Sequence, residues 1–294
     1  MNAAMQSSRP LCAVTGSSGY VGGIVRRKFL HENWDVLELT RTPKNDARAG
    51  AFRLGEEIAA ETLHGANALV HCAYDFAALS WEQIRAVNVR GSEKLFRAAK
   101  NAGVQKLVFI STISAFEGCK SLYGKAKLEI EKIAREHGAL IIRPGLVHGE
   151  TAGAMFGRLI AQVQKSSLQP LIGGGAQVQY LVHESDLADL IFRFCAGGIS
   201  ASPGEIITAA HPQPWTFREL LEKIAASKKR WIRFLPIPWQ PVWFAFKVAE
   251  LGGLRLAFRS DSLISLVNQN PHPQFPDFDR LGWRPRAFAM HGGG

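Results

Sequence analysis

The stretch "LCAVTGSSGYVGGIVRRKFL", residues 11 to 30, constrains the fold more than any other. A β-prone run ends at Thr15, glycines follow at Gly16, Gly19 and Gly22, and a helical pattern starts at once. That is one βα unit, and the next hundred residues repeat its rhythm. "DVLELT" at 35, "ALVHCA" at 68, "KLVFIST" at 106 and "ALIIRPG" at 139 read as short strands, with helices expected at about 20 to 31, 80 to 102 and 121 to 137. Gly103 and Gly138 stand where two helices should stop, each followed by a strand. Apolar strands separated by helices require a parallel sheet covered on both faces, so the fold class is α/β and doubly wound.

After residue 145 the rhythm breaks. "HGETAGAMFGRLIAQVQKSS" reads as loop and helix, "IGGGAQVQYLVHESDLADLIFRFC" as glycine turn, short strand and helix, and "EIITAA" as one more strand. From "HPQPWTFRELLEKIAAS" onward the segments read as helical or proline-rich, ending in a disordered "HGGG" tail. The expected division is a sheet domain at 10–150 and 176–210 and a smaller, mostly helical C-terminal domain at 151–175 and 211–290.

Composition narrows the function classes. With 294 residues and 47% hydrophobic content the chain buries a full core. Its formal net charge of +10 favours anionic ligands, yet Lys and Arg are scattered without a long basic run, which argues against nucleic acid. The four cysteines, Cys12, Cys72, Cys119 and Cys195, lie far apart, form no metal-spaced pattern and read as reduced core residues. Residues 1 to 9 lack the apolar core of a secretory signal, so a cytoplasmic location is expected. The segment "WIRFLPIPWQPVWFAFKVAEL" (231 to 251) is broken by Arg233, three prolines and Lys247, so it is too interrupted to span a membrane. It reads as a buried helix or a wall of the C-terminal domain, with attachment to a membrane surface through its Trp and Phe residues as the less favoured alternative.

The glycine turn carries the first chemical signal. Glycines between a strand and a helix let the backbone approach a pyrophosphate, whose charge meets the free amides of the helix N-terminus. Gly16, Gly19 and Gly22 give GxxGxxG rather than the GxGxxG of ordinary dehydrogenases. At the end of the second strand, where an acid would bond the ribose hydroxyls of NAD, stand Thr40 and Arg41. A guanidinium pairs with a 2′-phosphate, so NADP is the favoured cofactor, with NAD as the alternative.

The second signal is "SLYGKAK", residues 121 to 127. Tyr123 and Lys127 are four apart and share one helix face, while Lys125 points off it toward solvent. A phenol ordinarily deprotonates near pH 10, so acid/base work near neutrality needs a neighbouring cation, which Lys127 supplies. Ser111, Thr112 and Ser114 in "VFISTIS" offer hydroxyls at the preceding strand end. Together these groups suit proton transfer to an oxygen while a hydride moves between its carbon and a nicotinamide.

With "TGSSGYVG", "LVHCAY", "VNVRGSEKLFRAA", "FISTIS", "YGKAK", "IIRPGLVHG" and "YLVHESDLADL" in this order, about the first 190 residues resemble the short-chain dehydrogenases/reductases, specifically the extended branch with nucleotide-sugar epimerases and dehydratases. The resemblance implies a Rossmann fold and a nicotinamide cofactor. It also implies Tyr123 as general acid/base, Lys127 as the residue that lowers its pKa and holds the nicotinamide ribose, and Thr112 as catalytic hydroxyl, with Ser111 and Ser114 in reserve. The expected cofactor contacts are Gly16, Ser18, Gly19, Tyr20, Gly22, Arg41, Ala73, Tyr123, Lys127 and Pro144. Asn88 matches an asparagine that braces the sheet near the site, and a homodimer through helices of the first domain is implied. Two departures stand out: only 11 positions separate Thr112 from Tyr123, and "FRLGEE" lacks the acid that contacts adenine in the family.

His148 and His183 are expected to be structural, Asp186 to act as a helix cap or first-turn acid, and Arg143 to pair with a carboxylate or line the cofactor cleft. The expected activity is NAD(P)-dependent oxidation, reduction or epimerisation of a secondary alcohol or ketone. A nucleotide-activated sugar, small and anionic, is the leading substrate, and no metal is called for. The rivals are an NADPH-dependent reductase of a more apolar ketone, suggested by Arg41, the short loop and "PWQPVWFAF", and a non-catalytic cofactor-sensing protein. Proteins of that last kind usually lose the tyrosine or the lysine, and this chain keeps both.

Overall fold

The computed structural model describes residues 9–43, 48–149, 154–254 and 258–290. Strand β1 (Leu11–Thr15) turns into α1 (Tyr20–His31), followed by β2 (Asp35–Thr40), β3 (Ala49–Ala51) and β4 (Ala68–His71). A helical run then comprises α2 (Trp81–Ile84), a π-helical turn at Arg85–Val89 and α3 (Arg90–Asn101). The chain continues through β5 (Lys106–Ile110), α4 (Leu122–Glu136), β6 (Leu140–Pro144), β7 (Leu146–His148), α5 (Ala154–Lys165) and β8 (Leu168–Ile172). After β9 (Val178–Gln179) and β10 (Leu181–His183) come α6 (Glu184–Cys195), β11 (Ile206–Ala209), β12 (Trp215–Thr216) and α7 (Phe217–Ser227). Strand β13 (Arg233–Ile237) and helices α8 (Trp239–Leu251), α9 (Ser260–Val267) and α10 (Phe278–Leu281) complete the chain.

The central sheet has seven strands in the order β11-β6-β5-β4-β1-β2-β3. From β1 the chain moves outward through β2 and β3, then returns to β4 on the other side of β1, pairing parallel with both neighbours. This reversal makes the carboxyl ends of β1 and β4 the switch point, where open α/β sheets leave a ligand crevice. Ala13, Val14, Leu69 and Val70 are fully buried in these strands, so a one-residue slip in register would misplace both faces.

The chain divides into two compact units, one of 1–110, 130–141 and 188–206, the other of 111–129, 142–187 and 207–294. In the first, Phe29, Trp34 and Phe192 meet edge to face, with centroids 5.3 to 6.0 Å apart. In the second, Phe156, Val163, Leu171, Leu181, Leu220, Leu221, Ile224 and Phe288 form the core. Each fully buried leucine there stabilises the unit by about 1.5–3 kcal/mol.

Three differences from the sequence reading have physical causes. β8 and β13 form a parallel ribbon in which Leu168 faces Arg233 and Pro170 faces Leu235. Prolines in both segments suppress a strand reading, but a two-stranded ribbon has outer edges where a missing N–H is tolerated. Helix α8, expected to be buried, contains no buried residue; an apolar composition does not say whether a partner lies over it. The expected single helix at 80 to 102 carries the π-helical turn. The "HGGG" tail lies outside the described residues. Among the described residues the four cysteines are free, no helix is long and apolar enough to cross a membrane, and no His/Cys/Asp/Glu group could hold a metal.

Candidate active site

In the first unit the glycine turn is fixed by close approach. Gly16 has φ +69°, and a Cβ there would sit 3.0 Å from the Ala73 amide nitrogen. A Cβ on Gly22 would lie 2.1 Å from the Gly16 carbonyl oxygen. No side chain larger than hydrogen fits at Gly22 without opening the turn. Helix α1 begins at Gly19 with no side-chain cap and no acid in its first turn. Ser18 and Gly19 are exposed and Tyr20 is half-buried, at the positive end of a 12-residue helix. These features fit a pyrophosphate, and with it a dinucleotide. Arg41 follows the last residue of β2 and is exposed.

A buried polar chain holds Ala73 against the turn. The Thr15 hydroxyl accepts the amides of Cys72 and Ala73, both at 3.1 Å, and lies 2.7 Å from His71 Nδ1. With its lone pairs committed, Thr15 donates to Nδ1, which assigns the ring proton to Nε2, 2.9 Å from the Ser92 hydroxyl. Ser92 donates onward to the Asn88 carbonyl at 2.7 Å. The Asn88 side chain accepts the Asp75 amide at 2.7 Å and donates to the Asp75 carbonyl at 3.0 Å. Asn88 thus braces the loop after β4 rather than the sheet itself, from within the π-helical turn. Neither Thr15, His71 nor Ser92 stands out in the sequence, because a polar residue in a strand or helix announces no partner.

The second unit holds the hydroxyl, phenol and ammonium groups. Ser111 is buried and donates its amide to the Ile142 carbonyl at 2.7 Å, and Ile113 donates to the carbonyl of buried Pro144 at 3.1 Å. Thr112 accepts the Ser114 amide at 3.2 Å and hydrogen-bonds Tyr123, so the 11-residue separation brings the two side chains together. Burial pushes the Tyr123 phenol up to about 12, and the Thr112 hydroxyl bond partly opposes that shift. Lys127 is buried, with Nζ 5.8 Å from the centre of the Tyr123 ring, whereas Lys125 is exposed. Arg143 is half-buried in β6.

What sequence reasoning missed is how α4 begins. Asp261, from α9, accepts the amides of Leu122 at 2.7 Å and Tyr123 at 3.0 Å. Ser121 accepts the Gly124 amide at 3.1 Å. A Cβ on Gly124 would lie 2.7 Å from the Ser114 carbonyl oxygen and 3.0 Å from Cys119 Sγ, so glycine lets α4 close on the 112–119 turn. No local signal ties Asp261 to a helix start 139 residues earlier.

The two histidines and Asp186 occupy packing positions. His148 and His183 face each other in the β7–β10 pair with rings 5.2 Å apart, and His148 also packs on Phe156 and Phe288. Burial, reinforced by His183, lowers the His148 pKa to about 4. Asp186 is a first-turn acid of α6 and accepts the Arg286 amide at 2.9 Å and its guanidinium at 2.6 to 3.0 Å. It thereby also fastens the C-terminal segment.

The profile of the NAD dependent epimerase/dehydratase family matches residues 12–210. A UDP-glucose 4-epimerase of Vibrio cholerae is 27% identical over 95% of this chain and 92% of its own length. A ceramide reductase of Caulobacter vibrioides is 26% identical over 64% of this chain and 62% of its own. The crystal structure of a UDP-glucose 4-epimerase from Thermotoga maritima with UDP-glucose superposes with a TM-score of 0.72 at 17% identity, over 95% of this chain and 94% of that one. With the family profile matching residues 12–210, most of its length, the chain belongs to the NAD dependent epimerase/dehydratase family.

Proposed function

We propose that the protein is an NAD(P)-dependent epimerase or oxidoreductase acting on a secondary alcohol or ketone of a nucleotide-activated sugar, with Tyr123 as general acid/base. The observation that carries this reading is the Thr112–Tyr123–Lys127 arrangement at the start of α4. Gly16, Ser18, Gly19, Tyr20, Gly22 and Ala73 would hold the pyrophosphate at the glycine turn, and Tyr123, Lys127 and Pro144 are proposed as further cofactor contacts. When bound, the nicotinamide gives or takes the hydride. Tyr123 moves the proton: as a phenol it donates to a carbonyl oxygen, and as a phenolate it takes the proton of an alcohol. The Thr112 hydroxyl donates to the Tyr123 oxygen and so favours the phenolate, while Lys127, 5.8 Å from the ring centre, is proposed to hold the nicotinamide ribose. Burial outweighs the Thr112 bond and keeps Tyr123 a phenol at neutral pH, its pKa pushed up to about 12.

Arg41 supports NADP as the preferred form, because a guanidinium beyond β2 matches a 2′-phosphate. Residues 151–175 and 211–290 are assigned to substrate binding, and likeness to the Vibrio enzyme supports a nucleotide sugar. A second reading, reduction of an apolar ketone, draws on the exposed apolar helix α8 and on the likeness to the ceramide reductase.

Incubation with a panel of UDP-sugars, followed at the nicotinamide absorbance and by sugar analysis, tests the proposal. Interconverted sugars with no net absorbance change are expected of an epimerase. Stoichiometric NADPH consumption with apolar ketones, and none with sugars, would overturn the nucleotide-sugar assignment.

A further inference from the structure

Among the described residues, seven of the eleven exposed large hydrophobic side chains lie between residues 231 and 258, all in one compact unit. Trp231 is 66% exposed, Phe244 65% and Leu251 80%. They are not scattered. Along α8, Phe244, Val248 and Leu251 recur at intervals of four and three and so line one face, which is turned to solvent. The other face is the occupied one: Phe246 meets Phe258 at 6.1 Å, and Glu250 accepts the Ser260 amide at 2.8 Å and its hydroxyl at 2.6 Å. The β8–β13 ribbon repeats the arrangement. Leu171 enters the core and Phe234 packs against it, while Leu168 and Leu235 face outward.

Within residues 228–260 the outward charges have one sign. Lys228, Lys229 and Arg230 are exposed immediately before Trp231, Arg233 lies 4.5 Å from the Trp231 ring, and exposed Lys247 sits on the outward side of α8. Between residues 228 and 260 the sequence contains a single acid, Glu250, and its carboxylate is turned inward on Ser260. Apolar side chains and Trp231 fringed by cations, with no outward acid between residues 228 and 260, complement a surface that is negative at its rim and apolar beneath. A second copy of this chain would bring the same cations against themselves.

We propose that α8, together with the Lys228–Ile237 approach and the outward face of the β8–β13 ribbon, docks the protein on an anionic phospholipid bilayer. Phe244, Val248 and Leu251 enter the acyl boundary, Trp231 lies at the headgroup level, and Lys228, Lys229 and Arg230 meet the lipid phosphates. The attachment is peripheral, since α8 is too short and its flanks too polar to cross. It stands whether the substrate is a nucleotide sugar or an apolar ketone.

The test is co-sedimentation of the full chain with vesicles of phosphatidylcholine alone or mixed with phosphatidylglycerol, at low and high salt. Binding only to the mixed vesicles, reduced by salt, is expected. Replacing Lys228, Lys229 and Arg230 together by Gln should weaken it on the order of tenfold or more. Phe244→Ser combined with Leu251→Ser should abolish it while the thermal melt stays unchanged. In the unmodified chain, brominated lipid should quench tryptophan fluorescence, an independent reading that needs no variant. Absence of binding at low salt, equal binding to both vesicle types, or a dimer in sedimentation velocity that Phe244→Ser/Leu251→Ser dissociates without affecting lipid binding would each overturn the proposal.

Discussion

The carboxylate of Asp261 accepts the backbone amides of both Leu122 and Tyr123, at 2.7 and 3.0 Å, and so fixes the start of the helix that carries the phenol. A negative charge at a helix N-terminus satisfies orphan donors and opposes the macrodipole. Asp261→Ala should therefore cost about 1–2 kcal/mol of stability. It should also lower kcat more than it raises the Kd for the dinucleotide, because the glycine turn is untouched. Chemical unfolding and cofactor titration of the variant check both parts; unchanged turnover would remove Asp261 from the site's supports.

Gly124 makes a sharper test of the same helix. An added methyl would meet the Ser114 carbonyl oxygen at 2.7 Å, so Gly124→Ala must push α4 away from the Thr112 turn. The expected result is a destabilisation of about 1–3 kcal/mol with turnover reduced beyond what the loss of folded protein explains. Measuring activity per folded molecule separates the two effects.

His148 gives a pH signature. Its folded pKa of about 4 lies below the ordinary 6.5, so the unfolded chain binds the proton first as pH falls. The contribution is fully present above pH 6.5 and is lost as pH drops toward 4. His148→Phe, in a position already packed against Phe156 and Phe288, should flatten that part of the stability profile. An unaltered slope between pH 6.5 and 4 would show that other groups control it.

The first two thirds of the fold are legible in the sequence because parallel strands buried on both faces are unbroken apolar runs, and because glycines mark the turns between them. The Tyr123–Lys127 pair is legible for a similar reason: a helical spacing places both on one face without knowledge of anything distant. What supports the pair is not legible. Asp261 acts on Tyr123 across 138 residues, and the Thr15–His71–Ser92 chain joins three elements whose polar residues look incidental one at a time. β8 and β13 are hidden by their prolines, and the outward face of α8 by its composition, since hydrophobicity alone does not tell a covered surface from a bare one.

The central claim is that the Tyr123 phenol moves the proton while the cofactor is held largely by other residues. Tyr123→Phe removes one oxygen and leaves Thr112, Lys127 and the glycine turn in place. Turnover measured alongside NADPH and NADH binding by tryptophan fluorescence should show activity lost by three orders of magnitude or so, within the range expected for general acid–base catalysis. Dinucleotide affinity should stay close to that of the unmodified protein. A Tyr123→Phe protein that turns over at the original rate would contradict the account.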